Sequence, residues 1–248
     1  MTSILIGWGK PFLPGLNILI NIVVVGTGRC GSVYMAKVLT GLGIPCGHES
    51  IFDYAPGYTV MGRFHGRARR TLSRVSQKEG KNWVDIEQLE ADSSYMAVPY
   101  LNQPWMQNVK VLHIVRHPIE VVSSFLLDLD YFKSYRTNYE KWILYQLPSI
   151  EQFDTQLERV CYYYIQWNKM IETSCKDRPY FRHRVEDPLS DEFFKFLDVK
   201  PKPTYDNNKS NSMRKNRHFG ADISLTGALG DEFLDLIFRY GYVLPKFL

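Results

Sequence analysis

The sequence predicts an α/β fold built around a parallel sheet, and two stretches carry the prediction. Residues 17–25, NILINIVVV, are a β-branched run that ends at a glycine loop, GTGRCGS, and a helical pattern follows at once. Residues 110–115, KVLHIV, show the same order: an apolar run ends at Arg116, and a helix is expected from His117 with Pro118 in its first turn. Continuous β-branched runs mark strands buried on both faces, as parallel strands are. Strand, loop and helix in that order begin an α/β unit.

Bulk properties bound the answer. The chain has 248 residues, 45% of them hydrophobic and 23% charged, which suits a single globular domain over residues 1–248. A net charge of +4 is compatible with an anionic ligand and too small to argue for nucleic acid. Cys30, Cys46, Cys161 and Cys175 form no C-x-x-C pair. They read as reduced thiols filling apolar space, which points to a reducing, cytoplasmic setting. The apolar stretch 12–25 contains Asn17 and Asn21 and is shorter than the ~20 residues that span a bilayer. It reads as a short leader and a buried first strand, with no membrane span expected.

The remaining elements follow in order. Residues 32–42 have a helical pattern that stops at Gly43. Residues 41–49, GLGIPCGHE, are broken by glycine and proline and make a poor strand. Residues 62–81 hold seven Lys and Arg against one acid, Glu79. They read as a solvated helix or loop, with contact to an acidic substrate as the sharper alternative. After the helix expected over 117–129, a long helix is expected over 151–176, with Leu157, Val160, Cys161, Tyr164, Asn168 and Ile171 on its apolar face. Tyr162, Tyr163 and Trp167 lie on its flanks as core packing. Residues 180–199 read as strand, turn and helix, and 200–217 as an aperiodic polar loop. Residues 231–240 close the chain as a helix with Phe233, Leu236, Ile237 and Tyr240 on one face and Gly241 as its cap.

Gly26, Gly28 and Gly31 have the spacing G-x-G-x-x-G, which several kinds of protein use to hold phosphate. An NAD-type dinucleotide site would need an acidic residue about 20 positions on, at the end of a second strand. Glu49 has the distance, but its approach is the poor strand chemistry of 41–49. A nucleoside triphosphate site, as in a P-loop kinase, would need lysine after Gly31, and Ser32 stands there. In the third arrangement the cation sits inside the loop as Arg29. The backbone N–H groups of Gly28, Arg29, Cys30, Gly31, Ser32 and Val33 then wrap an anion at a helix N-terminus.

That third arrangement is similar to the sulfotransferases, whose donor is 3′-phosphoadenosine 5′-phosphosulfate (PAPS). GTGRCGS resembles their 5′-phosphosulfate loop, commonly Pro-(Arg/Lys)-Ser-Gly-(Ser/Thr). Gly28 stands for the proline and Cys30 for the serine. Residues 112–125, LHIVRHPIEVVSSF, resemble their 3′-phosphate motif, an arginine before (Asp/Asn)-Pro with a serine eight positions after the arginine. Arg116 and Ser124 match, with Ser123 as a second hydroxyl and His117 in the acid's place. HRVEDPLSDEFFKFLDV resembles the (Arg/Tyr)-x-Glu-Asp-Leu segment, with Val185 where an aromatic often meets adenine and Glu186 and Asp187 as structural acids. Residues 91–101 and the terminal FRYGY resemble further pieces of the family.

The resemblance implies a three-layer α/β/α fold of the P-loop nucleotide-binding type, transferring a sulfuryl group from PAPS to a hydroxyl or amine and releasing PAP. It implies no metal, and the six histidines have no ligand spacing. Arg29 would stabilise the leaving phosphate, and Arg116 and Ser124 would grip the 3′-phosphate. Glu49 is the first candidate for general base and His48 the second. Lys215 and Arg217 are candidates to close over the 3′-phosphate. Residues 52–105 are the region expected to shape the acceptor pocket, with Phe52, Tyr54, Tyr58 and Phe64 as candidates to stack on a sugar or ring. The acceptor stays open among sugar, lipid, phenol and peptide tyrosine. A PAP-binding member without catalysis is a further alternative.

Overall fold

The computed structural model describes residues 20–52, 88–201 and 227–243. The basic stretch 62–81, Tyr54, Tyr58, Phe64, Lys215 and Arg217 lie outside the described residues.

Five parallel strands form one sheet in the order β2-β3-β1-β4-β5. They are β1 (Ile22–Val25), β2 (Cys46–His48), β3 (Ala91–Ser93), β4 (Lys110–Val115) and β5 (Tyr180–Arg184). Strand β1 lies between β3 and β4, with Ile22 opposite Ala91 on one side and Lys110 on the other. The helices are α1 (Ser32–Leu42), α2 (Pro118–Ser123), α3 (Asn138–Gln146), α4 (Gln156–Ser174), α5 (Asp191–Leu197) and α6 (Gly227–Arg239).

The period-2 geometry of a strand sends alternate side chains to opposite faces, and both faces are covered. Ile22 and Val24 of β1 join Leu112 and Ile114 of β4 under α1 and α5, packed on Met35, Leu39, Phe193 and Leu197. Val23, Val25, Val111 and Val115 face the other way into a larger, aromatic core with α3, α4 and α6, around Trp142, Tyr163, Trp167 and Phe233. These are the three layers expected from the sequence.

Several boundaries differ from expectation. Residues 46–48 do form a strand despite the glycine and proline around them. Its hydrogen bonds come from β3, with Cys46 opposite Ala91 and His48 opposite Ser93, so pairing overrides weak propensity. Gly47 belongs there because a Cβ would come within 2.6 Å of Ser50 Oγ and 2.8 Å of Asp92 Oδ1. The helix expected over 117–129 is α-helical only to Ser123 and continues as a π-helix over Ser124–Leu129. The long helix begins at Gln156 rather than near 151, because Thr155 caps it: its hydroxyl accepts from Glu158 N–H, and the Glu158 carboxylate accepts from Thr155 N–H. A second capping box, Thr137 with Glu140, starts α3, an element the sequence reading does not contain. The closing helix α6 starts at Gly227, before the expected residue 231.

Candidate anion site

In a parallel sheet all carboxyl ends lie on one edge, which is where open α/β sheets hold ligands. Here that edge collects the glycine loop after β1, His48 and Glu49 at the end of β2, Arg116 after β4, and Val185 and Glu186 after β5.

The loop turns through backbone that favours glycine. Arg29 has φ 68° and Gly31, the N-cap of α1, has φ 102°. Successive turns of this kind point amide N–H groups toward one concavity. The first turn of α1, with Ser32 and Val33, leaves its N–H groups without intrahelical acceptors, and the helix dipole favours negative charge there. One amide is not so disposed: Gly28 N–H donates to the buried Tyr163 hydroxyl at 2.9 Å. Cys30 is buried beneath the loop, and burial pushes its thiol up to about 12, so it stays protonated and serves as packing.

Two stretches far apart in the sequence meet at this loop. Arg29 Nε donates to Ser124 Oγ at 2.8 Å across 95 positions of sequence. The same guanidinium lies 3.9 Å from Asp128, and Ser124 donates to Asp128 at 3.1 Å. Asp128 is four positions beyond Ser124 along the π-helix, a geometry frequent at functional sites. Arg116 donates to the Arg29 carbonyl at 3.3 Å and pairs with Glu120 at 3.3 Å. Ser123 instead donates back to Ile119 O at 2.6 Å, so of the two serines Ser124 faces the loop.

Neighbouring groups hold Arg116 in place. Tyr164 O–H donates to the Arg116 carbonyl at 3.2 Å. His117 N–H donates to Glu186 Oε1 and Tyr242 O–H donates to Glu186 Oε2, both at 2.8 Å. Glu186 thus ties the ends of β4 and β5 to the closing segment, and Asp187 pairs with Arg184 at 3.3 Å. His117 caps α2, its Nδ1 accepting from Ile119 N–H at 3.3 Å. That is the task an acidic residue would have at this position.

The base candidates stand beside the loop. His48 Nε2 is 3.0 Å from Ser32 Oγ and 3.7 Å from Glu49 Oε1. Burial lowers His48 to about 4, so it is neutral at physiological pH. Glu49 has φ 52°, and its N–H donates to Ser93 O at 3.1 Å. Asp92 holds the turn beyond it, accepting from Ser50, Ile51 and Phe52 N–H at 3.1–3.3 Å. Burial raises Asp92 to about 6 against the opposing effect of those three bonds.

The structure therefore brings together the loop from Gly28 to Val33, His48, Glu49, Arg116 and Ser124. Tyr139, Asp128 and Asp92 also build the site and were not singled out from the sequence, and Tyr163 was named there only as core packing on a helix flank. Nothing local in the sequence reveals what the Tyr163 hydroxyl touches.

Comparison with known proteins adds little to this geometry. No family model and no curated protein matches the chain. A solved sulfotransferase from Alicyclobacillus acidocaldarius aligns over 91% of this chain and 97% of its own, with 15% identity and a TM-score of 0.45. At that identity and score the likeness decides nothing about chemistry. Among the described residues no helix is long and apolar enough to cross a membrane, and no group of three or more His, Cys, Asp or Glu is placed to hold a metal.

Proposed function

We propose that this protein transfers a sulfuryl group from PAPS to a hydroxyl or amine of a small-molecule, carbohydrate or lipid acceptor. The observation that carries the reading is the Arg29–Ser124 bond, with Arg116 donating to the Arg29 carbonyl. Two separate cationic motifs converge on one glycine loop, as a donor with two anionic ends requires.

When bound, the donor supplies an activated sulfuryl group on its 5′-phosphate. Arg29 and the amides of Ser32 and Val33 fit that phosphate and offset the negative charge it gains as the S–O bond breaks; Cys30 and Gly31 extend the same cradle. Arg116 and Ser124 fit the 3′-phosphate. Glu49 takes the acceptor's proton as its oxygen or nitrogen bonds to sulfur, and His48, neutral and beside Ser32, is the second choice. Lys215 and Arg217 are the residues we assign to closing over the 3′-phosphate, and residues 52–105 to shaping the acceptor pocket. The four cysteines, all free and buried, favour a cytoplasmic setting.

The rivals lose support on particular grounds. In the dinucleotide fold the acid-bearing second strand lies next to β1, in the order 3-2-1-4-5. Here β3 stands between them, so Glu49 ends a strand one place further out. This corrects the ground for rejecting a dinucleotide: the strand before Glu49 exists, but in the wrong place. For a triphosphate site, Asp92 is the carboxylate on the strand beside β1, and it already serves three backbone amides.

Titration calorimetry with PAP, and with NAD and ATP as controls, tests the reading. PAP binding well above both controls is the expected result. NAD or ATP bound in preference to PAP would overturn it.

A further inference from the structure

The anion loop rests on a buried pair of tyrosines that the proposed chemistry does not use. Gly28 N–H donates to Tyr163 Oη at 2.9 Å, and Tyr139 O–H donates to the same oxygen at 2.9 Å. Tyr163 is fully buried and Tyr139 nearly so. They come from α4 and α3, and Gly28 is 135 positions from Tyr163 in the chain. Phe125 completes the platform, stacked on Tyr139 at 6.0 Å and edge-on to Tyr163 at 5.4 Å. It follows directly on Ser124, the partner of Arg29.

The loop needs this support. Glycine has the widest backbone freedom of any residue, and Gly28 immediately precedes the left-handed turn at Arg29. A buried amide without an acceptor is costly, so a hydroxyl at this point holds the loop in one conformation. The fit is mutual. A Cβ at residue 28 would come within 2.9 Å of Tyr139 Oη and 3.0 Å of Phe125 Cζ, so the glycine and the tyrosine pair form one device.

We propose that Tyr163, backed by Tyr139, is a positioning residue for the anion loop: its hydroxyl oxygen fixes the Gly28 amide and thereby the turn that aims Arg29 at Ser124. The proposal rests on the loop being the donor site, but its first test does not depend on the donor. Tyr163→Phe removes the acceptor and keeps the ring. Amide hydrogen exchange in the whole chain, without ligand, should be faster by about tenfold or more in the peptide covering residues 26–32, with β4 unchanged. Tyr139→Phe keeps the Gly28 acceptor and should give a smaller increase in the same peptide. Tyr180→Phe, whose hydroxyl meets His113 at 2.8 Å, should leave the loop as it is.

PAP titrated into the same proteins, well below their melting points, gives the second readout. Tyr163→Phe should weaken PAP about tenfold at unchanged stoichiometry, and Tyr180→Phe should not. Unchanged loop exchange in Tyr163→Phe overturns the proposal, as does faster exchange spread evenly over the sheet. Unchanged PAP affinity, where the parent chain binds PAP, overturns the positioning role. If Tyr163→Phe does not fold, the loop exchange of Tyr139→Phe decides. A parent chain that ignores PAP defeats the PAPS reading alone, and the exchange result still judges Tyr163.

Discussion

Arg116 divides its guanidinium between the Arg29 carbonyl and Glu120, and its side chain is about one-third exposed. An exposed i,i+4 pair of this kind contributes only about 0.3–0.5 kcal/mol. A charge-assisted bond to a bound phosphate is worth about 1.5–3 kcal/mol. Arg116→Ala should therefore weaken PAP by roughly 10- to 100-fold in calorimetry and leave the melting curve nearly unchanged. Collapse of the fold would make the arginine structural instead. Gly47 has the opposite character. Its absent side chain leaves room for Ser50 and Asp92, so Gly47→Ala should cost about 1–3 kcal/mol in urea unfolding, as overpacking does. Because the turn it supports carries Glu49, the loss should reach the site as well as the fold.

Among the elements, two helices owe their starts to capping boxes. Thr137 and Glu140 begin α3, and Thr155 and Glu158 begin α4. Thr155→Ala should cost about 1 kcal/mol, read as a lowered melting midpoint. Glu140→Ala should cost more than Thr155→Ala, because the Glu140 carboxylate also accepts from Phe132 N–H at 2.7 Å and is buried. Although the sequence reading lacks α3 and begins the long helix near residue 151, both boxes show the Thr-x-x-Glu pattern in the sequence, so these starts were legible there. The π-helical turn at Ser124 was not, since its residues fit an α-helical pattern equally well and its form depends on what it packs against.

For the whole molecule, buried titratable groups set the response to acid. Burial lowers His48 and His113 to about 4 and lowers His183 as well, from an ordinary 6.5. Below pH 6.5 the unfolded chain takes up these protons while the folded chain does not, so stability falls until the pH reaches about 4. Asp92 acts the other way: raised from 3.8 to about 6, it favours the folded state as pH drops through that window. Among the described residues, three buried histidines against one buried aspartate predict a net loss of stability between pH 6.5 and 4. Urea midpoints at a series of pH values measure it, and a flat or rising profile would contradict the buried neutral rings.

What the sequence by itself determined was local. The run into Gly26 announced a buried strand, and the pattern after Gly31 a helix closed at Gly43. Each signal lies within a few turns of one element, where periodicity and capping chemistry act. What only the tertiary structure decided was long-range. Strand β2 exists because β3 pairs with it, and the place of β3 beside β1 weakens the dinucleotide reading. Tyr163 meets Gly28, and Arg29 meets Ser124, only once sheet and helices have packed around them. Hydroxyl partners and burial-shifted pKa values depend on which distant atoms arrive at a point, and no local pattern carries that information.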